Sequence, residues 1–388
     1  MALSRNKIKG RAPARSNQRA GDSFGNTAAG RSLDDFSITQ ENSVNVEAAV
    51  KLGRLYDALQ EVGYAGQALE MLLARLLFCL FAEDTAILER NQFHDYLETH
   101  TSPDGSNLGS HLTQVFQMLG TPPTERLKNL DPQLASFPFV NDWLFAEMLP
   151  LAVFDHAMRD MLLDCCALDW SRISPATCCS LLLSVVDVGS RRHQGAHFTA
   201  ETDILKVLRP LFLDALAAEF KWVRGNHRQL ATFQRRLAAI RMLDPACGCG
   251  NFLAIAYREL RLLELAVLQE LYSTGDGSVR LPSERNRLAL VNVDQFHGIE
   301  LDEFSAWIAR VALWMTDHQM NLRASAVFGQ HGVRPPLAKV PNIIHGSALT
   351  LDWRGIVRPE DLSYIVGNPP FVGARLMTSP QRAEAALV

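Results

Sequence analysis

IRMLDPACGCGNF, residues 240–252, decides the fold: an apolar run ends on Asp244, a turn of small residues follows, and a helix then runs from Leu253 to Leu271. Ala246, Cys247, Gly248, Cys249 and Gly250 let the backbone pass close to a ligand, and the free N–H groups where a helix opens favour an anionic group. A Gly-x-Gly is common in tight turns, and the third glycine of a dinucleotide fingerprint is missing here, so a nicotinamide cofactor is disfavoured.

Working outward, β-type runs at Ile240–Leu243, Gln295–Glu300, Asn342–His345 and Tyr364–Val366 alternate with helical segments. That alternation predicts an α/β fold with a parallel, doubly wound sheet. The polar stretch STGDGSVRLPSER, residues 273–285, reads as a surface loop between the first helix of the sheet and the second strand.

Two more strand ends carry chemistry. In Gly298-Ile299-Glu300-Leu301-Asp302 an apolar strand ends on an acid, which can accept hydrogen bonds from both ribose hydroxyls of an adenosine-like ligand. In Gly367-Asn368-Pro369-Pro370-Phe371 the two prolines remove donors and stiffen the chain. An amide oxygen and a backbone carbonyl are left as acceptors beside an aromatic face, a set that suits an amine on a flat ring. Alone, Glu300 reads as a solvated acid and Asn-Pro-Pro-Phe as a rigid surface turn. Their succession on consecutive strands argues for a site.

Upstream, Val44 to Cys179 is helical in pattern, with Leu52, Leu55 and Leu59, then Leu69, Leu72, Leu73, Leu76 and Leu80, at three- and four-residue spacing. Ser102-Pro103-Asp104-Gly105, Thr121-Pro122-Pro123 and Ser174-Pro175 each predict a helix end or start. Asp203 to Trp222 reads as a long amphipathic stretch, and Glu219-x-Lys221 within it as structural. Residues 1–43 form an expected disordered basic leader, with seven Lys/Arg against one Asp before Leu33.

With 388 residues and 47% hydrophobic positions, the chain can bury two or three cores. Its longest apolar stretch, Met71 to Ala82, contains Arg75 and is shorter than the roughly 20 residues that cross a bilayer, so it reads as a buried helix. With no apolar segment behind the basic N-terminus, a cytoplasmic location is expected. The net charge of −4 argues against a chain coated for nucleic acid, without excluding DNA contacts made by a separate domain. Seven cysteines without C-x-x-C spacing read as buried thiols, and no metal site is expected.

Together these motifs resemble the adenine-N6 DNA methyltransferases of the MmeI-like group, found in restriction-modification and phage-defence systems. The resemblance covers nearly everything after residue 44. It includes Tyr64-Ala65-Gly66, the run from Leu76 to Thr85, and Gln194-Gly195-Ala196-His197-Phe198-Thr199, besides the three strand-end motifs. It implies a helical spacer domain over 44–190 and, over 191–388, part of a Rossmann-like class I methyltransferase domain using S-adenosyl-L-methionine.

By resemblance, Phe198 and Thr199 lie near the methionine end of the cofactor, Asp244 and Gly248 near its amino acid group, and Glu300 on its ribose. Ala246, Gly250, Asn251 and Ser347 complete the cofactor set. Asn368, Pro369, Pro370 and Phe371 hold the adenine of double-stranded DNA, flipped out of the helix. Ser347 departs from the family, which usually has Asp against the cofactor's adenine; it can hydrogen-bond but lacks the charge. The family's sheet has more strands than the four read here, so the chain is expected to be truncated after Asn-Pro-Pro-Phe. A complementing C-terminal polypeptide with a target-recognition domain is one expectation. A non-catalytic remnant that binds only cofactor or a partner, and methylation of an rRNA base or a protein glutamine, are the alternatives.

Overall fold

The computed structural model describes residues 33–140, 144–186, 199–272, 288–328, 341–370 and 377–386. Phe198, Phe371 and the 273–285 loop lie outside the described residues, as does the leader as far as residue 32.

The first helix, α1, spans Leu33–Glu61 and so begins inside the segment read as a leader. From Val44 onward its buried stripe is Ala48, Leu52, Leu55 and Leu59, the helical spacing read in the sequence. Helix α2, Gln67–Asp84, is buried on all sides from Met71 to Glu83. Its one cation, Arg75, donates to the carbonyls of Leu144 (2.8 Å) and Glu147 (2.7 Å) between the rings of Phe116 and Phe145. Glu83 is buried because it accepts from the N–H groups of Phe93 and His94, at the open start of α3, Gln92–His100.

The proline and glycine punctuation falls where expected. Ser102 to Gly105 separates α3 from α4, Leu108–Gly120; Pro122 and Pro123 follow the end of α4; Pro175 opens a later helix at its first turn. Helices α5, Pro132–Ala135, α6, His156–Cys166, and α7, Pro175–Val186, complete this region.

The long amphipathic stretch is three pieces: α8, Glu201–Leu208, a π-helical turn over Arg209–Leu213, and α9, Asp214–Val223. Pro210 has no N–H to give the regular ladder, which accounts for the wider turn. Glu219 forms an ion pair with Arg236 on α10, His227–Ala239, in keeping with a structural role.

The sheet has β1, Met242–Asp244, and β2, Phe296–Glu300, joined by α11, Asn251–Tyr272. Helix α12, Glu303–Phe328, then leads to β3, Asn342–His345, and the chain returns as β4, Tyr364–Ile365. All pairings are parallel, in the order β3-β2-β1-β4. The order reverses between β1 and β4, and in such sheets a ligand crevice opens at the strands' carboxyl ends beside that reversal.

Helices α10, α11 and α12 cover one face, packing Leu237, Tyr257 and Leu313 against Met242, Phe296 and Ile343. On the other face, Leu243 and Ile299 pack against Trp353, Ile356 and Val357.

Helix α12 is shared between two cores. Ala306, Ala309 and Leu313 face the sheet, whereas Phe304, Ile308, Val311, Trp314 and Met315 belong to the same core as α1 to α7. Trp314 lies 4.5 Å from Phe78, ring to ring, and His318 Nε2 is 2.7 Å from the Thr85 carbonyl oxygen. Residues 40–388 accordingly form one compact unit. Among the described residues no helix is long and apolar enough to cross a membrane.

Candidate active site

Asp244 closes β1 with its side chain only 1% exposed. Its Oδ1 accepts from the Ala246 N–H at 3.0 Å, which bends the chain into the loop. The loop is then fixed from several sides. Cys247 N–H donates to the Ile299 carbonyl on β2 (3.0 Å), and Gly250 N–H donates to the Cys247 carbonyl (2.8 Å). Gly248 and Gly250 both take positive φ, 54° and 79°. At Gly250 a Cβ would also stand 3.0 Å from Ala309 Cβ, whereas a Cβ at Gly248 would meet nothing within 4 Å. The Gly248 backbone therefore borders open space.

Glu300 ends β2 and ties three strand ends together. Its Oε2 accepts from Gly248 N–H at 2.7 Å, its Oε1 from Asp302 N–H at 2.9 Å, and its carbonyl from Gly346 N–H beyond β3 at 2.8 Å. Gly298 lets the loop lie against β2: a Cβ there would be 2.8 Å from Cys247 Sγ and 2.7 Å from Ile343 Cδ1.

Across the strand reversal, Gly367 follows β4 and packs on the Asp244 carboxylate, where a Cβ would come within 2.3 Å of Oδ1. Asn368 is exposed, and its Nδ2 donates to Thr199 Oγ1 at 3.1 Å, leaving its amide oxygen as an acceptor. Pro369 and Pro370 continue outward, both exposed.

Burial dominates the electrostatics. It pushes the Asp244 carboxyl up to about 7, with the Glu300 charge adding to the rise and the Ala246 N–H opposing it. Burial likewise raises Glu300, against the N–H groups of Asp302 and Gly248. A buried acid with one hydrogen bond and an acidic neighbour favours a cation beside it.

Of the expected site residues, Thr199, Asp244, Ala246, Gly248, Gly250, Glu300 and Asn368 come together at the carboxyl ends of β1, β2 and β4. Asn251 stands apart: it is 8% exposed, and its side chain turns inward to Ser180 and Cys249. Ser347 lies just past β3, and its Oγ donates to Glu384 Oε2 at 2.8 Å. Glu384 belongs to a terminal helix, α13, Ser379–Ala385, capped by Thr378. A carboxylate 37 residues later in sequence thus stands beside the Ser347 hydroxyl. Neither Ser180 nor Glu384 carries a signal in its local sequence.

The donor set fits S-adenosyl-L-methionine: Asp244 as an acid awaiting a cation, Glu300 as a carboxylate at the neighbouring strand end, and Gly248 without a Cβ above open space. Residues 220–388 match the family model for the MmeI DNA-methyltransferase domain, and residues 67–145 that for the MmeI helicase spacer domain. The chain is 32% identical over 364 residues to DNA methyltransferase A of Bacillus subtilis (strain 168), covering 92% of this chain and 40% of that protein. It also superposes with a TM-score of 0.81 and 50% identity on the type IIL restriction-modification enzyme MmeI, solved in complex with DNA; that match covers 87% of this chain and 45% of the other. The chain spans less than half the length of these relatives. By strand order, loop geometry and these matches, it belongs to the MmeI-like DNA methyltransferases.

Proposed function

We propose that this chain carries the cofactor site and the adenine grip of a site-specific DNA methyltransferase that modifies adenine N6 in a restriction-modification setting. The observation that carries the reading is that Gly367, the residue before Asn368, packs on the Asp244 carboxylate across the β1–β4 reversal.

S-adenosyl-L-methionine, when bound, supplies the electrophilic methyl group. Asp244, ionised, holds the ligand's ammonium group; Glu300 accepts from its ribose hydroxyls; Ser347 and Glu384 present a hydroxyl and a carboxylate toward its base. Thr199 orients the Asn368 amide by taking one of its N–H bonds. The Asn368 oxygen and the carbonyl of Pro369 then accept the two hydrogens of the target amine, which aims the nitrogen lone pair without a strongly basic side chain. Phe371 is assigned the stacking face. An adenine within a duplex has to be flipped out first, at a cost of a few kcal/mol. A cytoplasmic location beside the DNA belongs to the same proposal.

Two measurements test it. Calorimetric titration of the folded chain with S-adenosyl-L-methionine is expected to give saturable binding that Asp244→Ala abolishes; absence of binding by folded protein overturns the cofactor assignment. Methylation of duplex DNA by the protein is expected to yield N6-methyladenine, and none with Asn368→Ala. Product on cytosine, or on RNA or protein alone, overturns the substrate assignment.

A further inference from the structure

The loop between β1 and α11 is held from two sides. Cys247 is 6% exposed within the core of the sheet, whereas Cys249, two residues on and 8% exposed, belongs to the core of the helical region. Gly248 lies between them, its N–H donated to Glu300.

On the helical side a closed polar ring completes the attachment. Ser180, on α7, is 5% exposed; its hydroxyl lies 2.9 Å from both Cys249 Sγ and the Ala176 carbonyl oxygen, and its one hydrogen closes the ring when donated to the sulfur. Asn251 Nδ2 donates to Ser180 Oγ, and Cys249 Sγ donates to Asn251 Oδ1 at 3.2 Å. All three residues are at least nine-tenths buried, where a polar atom that loses its partner is costly. Ser180 touches the residue after Gly248 and the first residue of α11, so it adds a hold from the helical side to the one that Glu300 and Ile299 give Gly248 and Cys247 from the sheet.

We propose that Ser180 is a positioning residue for the cofactor loop, acting through Cys249 and Asn251, so that the helical region sets the geometry of the cofactor cradle together with the sheet. Asn251 then serves inside this ring rather than on the ligand. The inference rests on the cofactor site proposed above.

Its test is Ser180→Ala in the full chain, read by amide hydrogen exchange without ligand and by the Kd for S-adenosyl-L-methionine. Exchange over residues 245–252 is expected to quicken about tenfold while α2 and α3 keep their protection, and the Kd to rise about tenfold. Ser180→Thr, which keeps the hydroxyl, is expected to bring both values back toward the original. Unchanged exchange and Kd in folded Ser180→Ala overturn the proposal, as does loosening spread evenly over the protein. Should Ser180→Ala fail to fold, Asn251→Ala removes the same ring from the loop side and is judged by the same outcomes. Faster loop exchange in a protein whose parent does not bind the cofactor leaves the positioning role standing and sinks the cofactor reading instead.

Discussion

Cofactor affinity is expected to fall steeply as the medium is acidified, and Asp244 sets the slope. Its carboxyl is pushed up to about 7 by burial, and only its ionised form attracts an ammonium group. Below that value each pH unit removes a further tenfold of ionised protein, so the apparent Kd should rise roughly tenfold between about pH 8 and about pH 6. Binding should also expel a proton, close to one per ligand near about pH 6 and about half near about pH 7. Above about pH 8 the ligand's own α-amino group loses its charge, so the informative window lies below that. Isothermal titration in two buffers of different ionisation heat measures both quantities. Asp244→Asn should bind weakly with no pH slope, whereas Glu300→Gln, which removes a charge that raises Asp244, should keep the slope but move it to lower pH. A level Kd through this window, or a slope that survives in Asp244→Asn, refutes the reasoning.

The same shift has a consequence for folding. An acid whose pKa is raised on folding contributes stability below its unfolded value near 4 and loses it as pH climbs to the folded value near 7. Asp244→Asn should therefore unfold at higher denaturant than the parent, by an excess that grows between about pH 4 and about pH 7, up to a few kcal/mol, and then levels off; an equal excess at all pH values contradicts this. Gly367→Ala drives a Cβ into the Asp244 carboxylate, within 2.3 Å of Oδ1. It should cost about 1–3 kcal/mol of stability in thermal melts and most of the cofactor affinity. Trp314→Ala removes a ring that is 2% exposed and packed on Phe78. A loss of about 3–5 kcal/mol is expected. The helical region and the sheet should still melt in one transition, and separate melting by circular dichroism would show that α12 does not join them.

Much of the fold is legible because its signals are local. Asn342–His345 is a strand as read, and the other three strands agree to within two residues at either end. Gly248 and Gly250 announce a turn that needs positive φ, and Pro175 announces a helix start. The order of the three strand-end motifs suffices to bring Asp244, Glu300 and Asn368 to one edge, because parallel strands with right-handed crossovers put all their carboxyl ends together. What no local pattern conveys is contact between distant positions. Gly367 owes its identity to a carboxylate 123 residues away, and Ser180 is tied to Asn251 across 71 positions. Ser347 meets its acid only because α13 folds back onto it. Helix α12, whose apolar residues occupy two faces, reveals which of them meets the helical core only once both cores are assembled. The high pKa of Asp244 belongs to this second group: ionisation depends on how completely the rest of the chain excludes water, a property of the assembled fold and not of the residue.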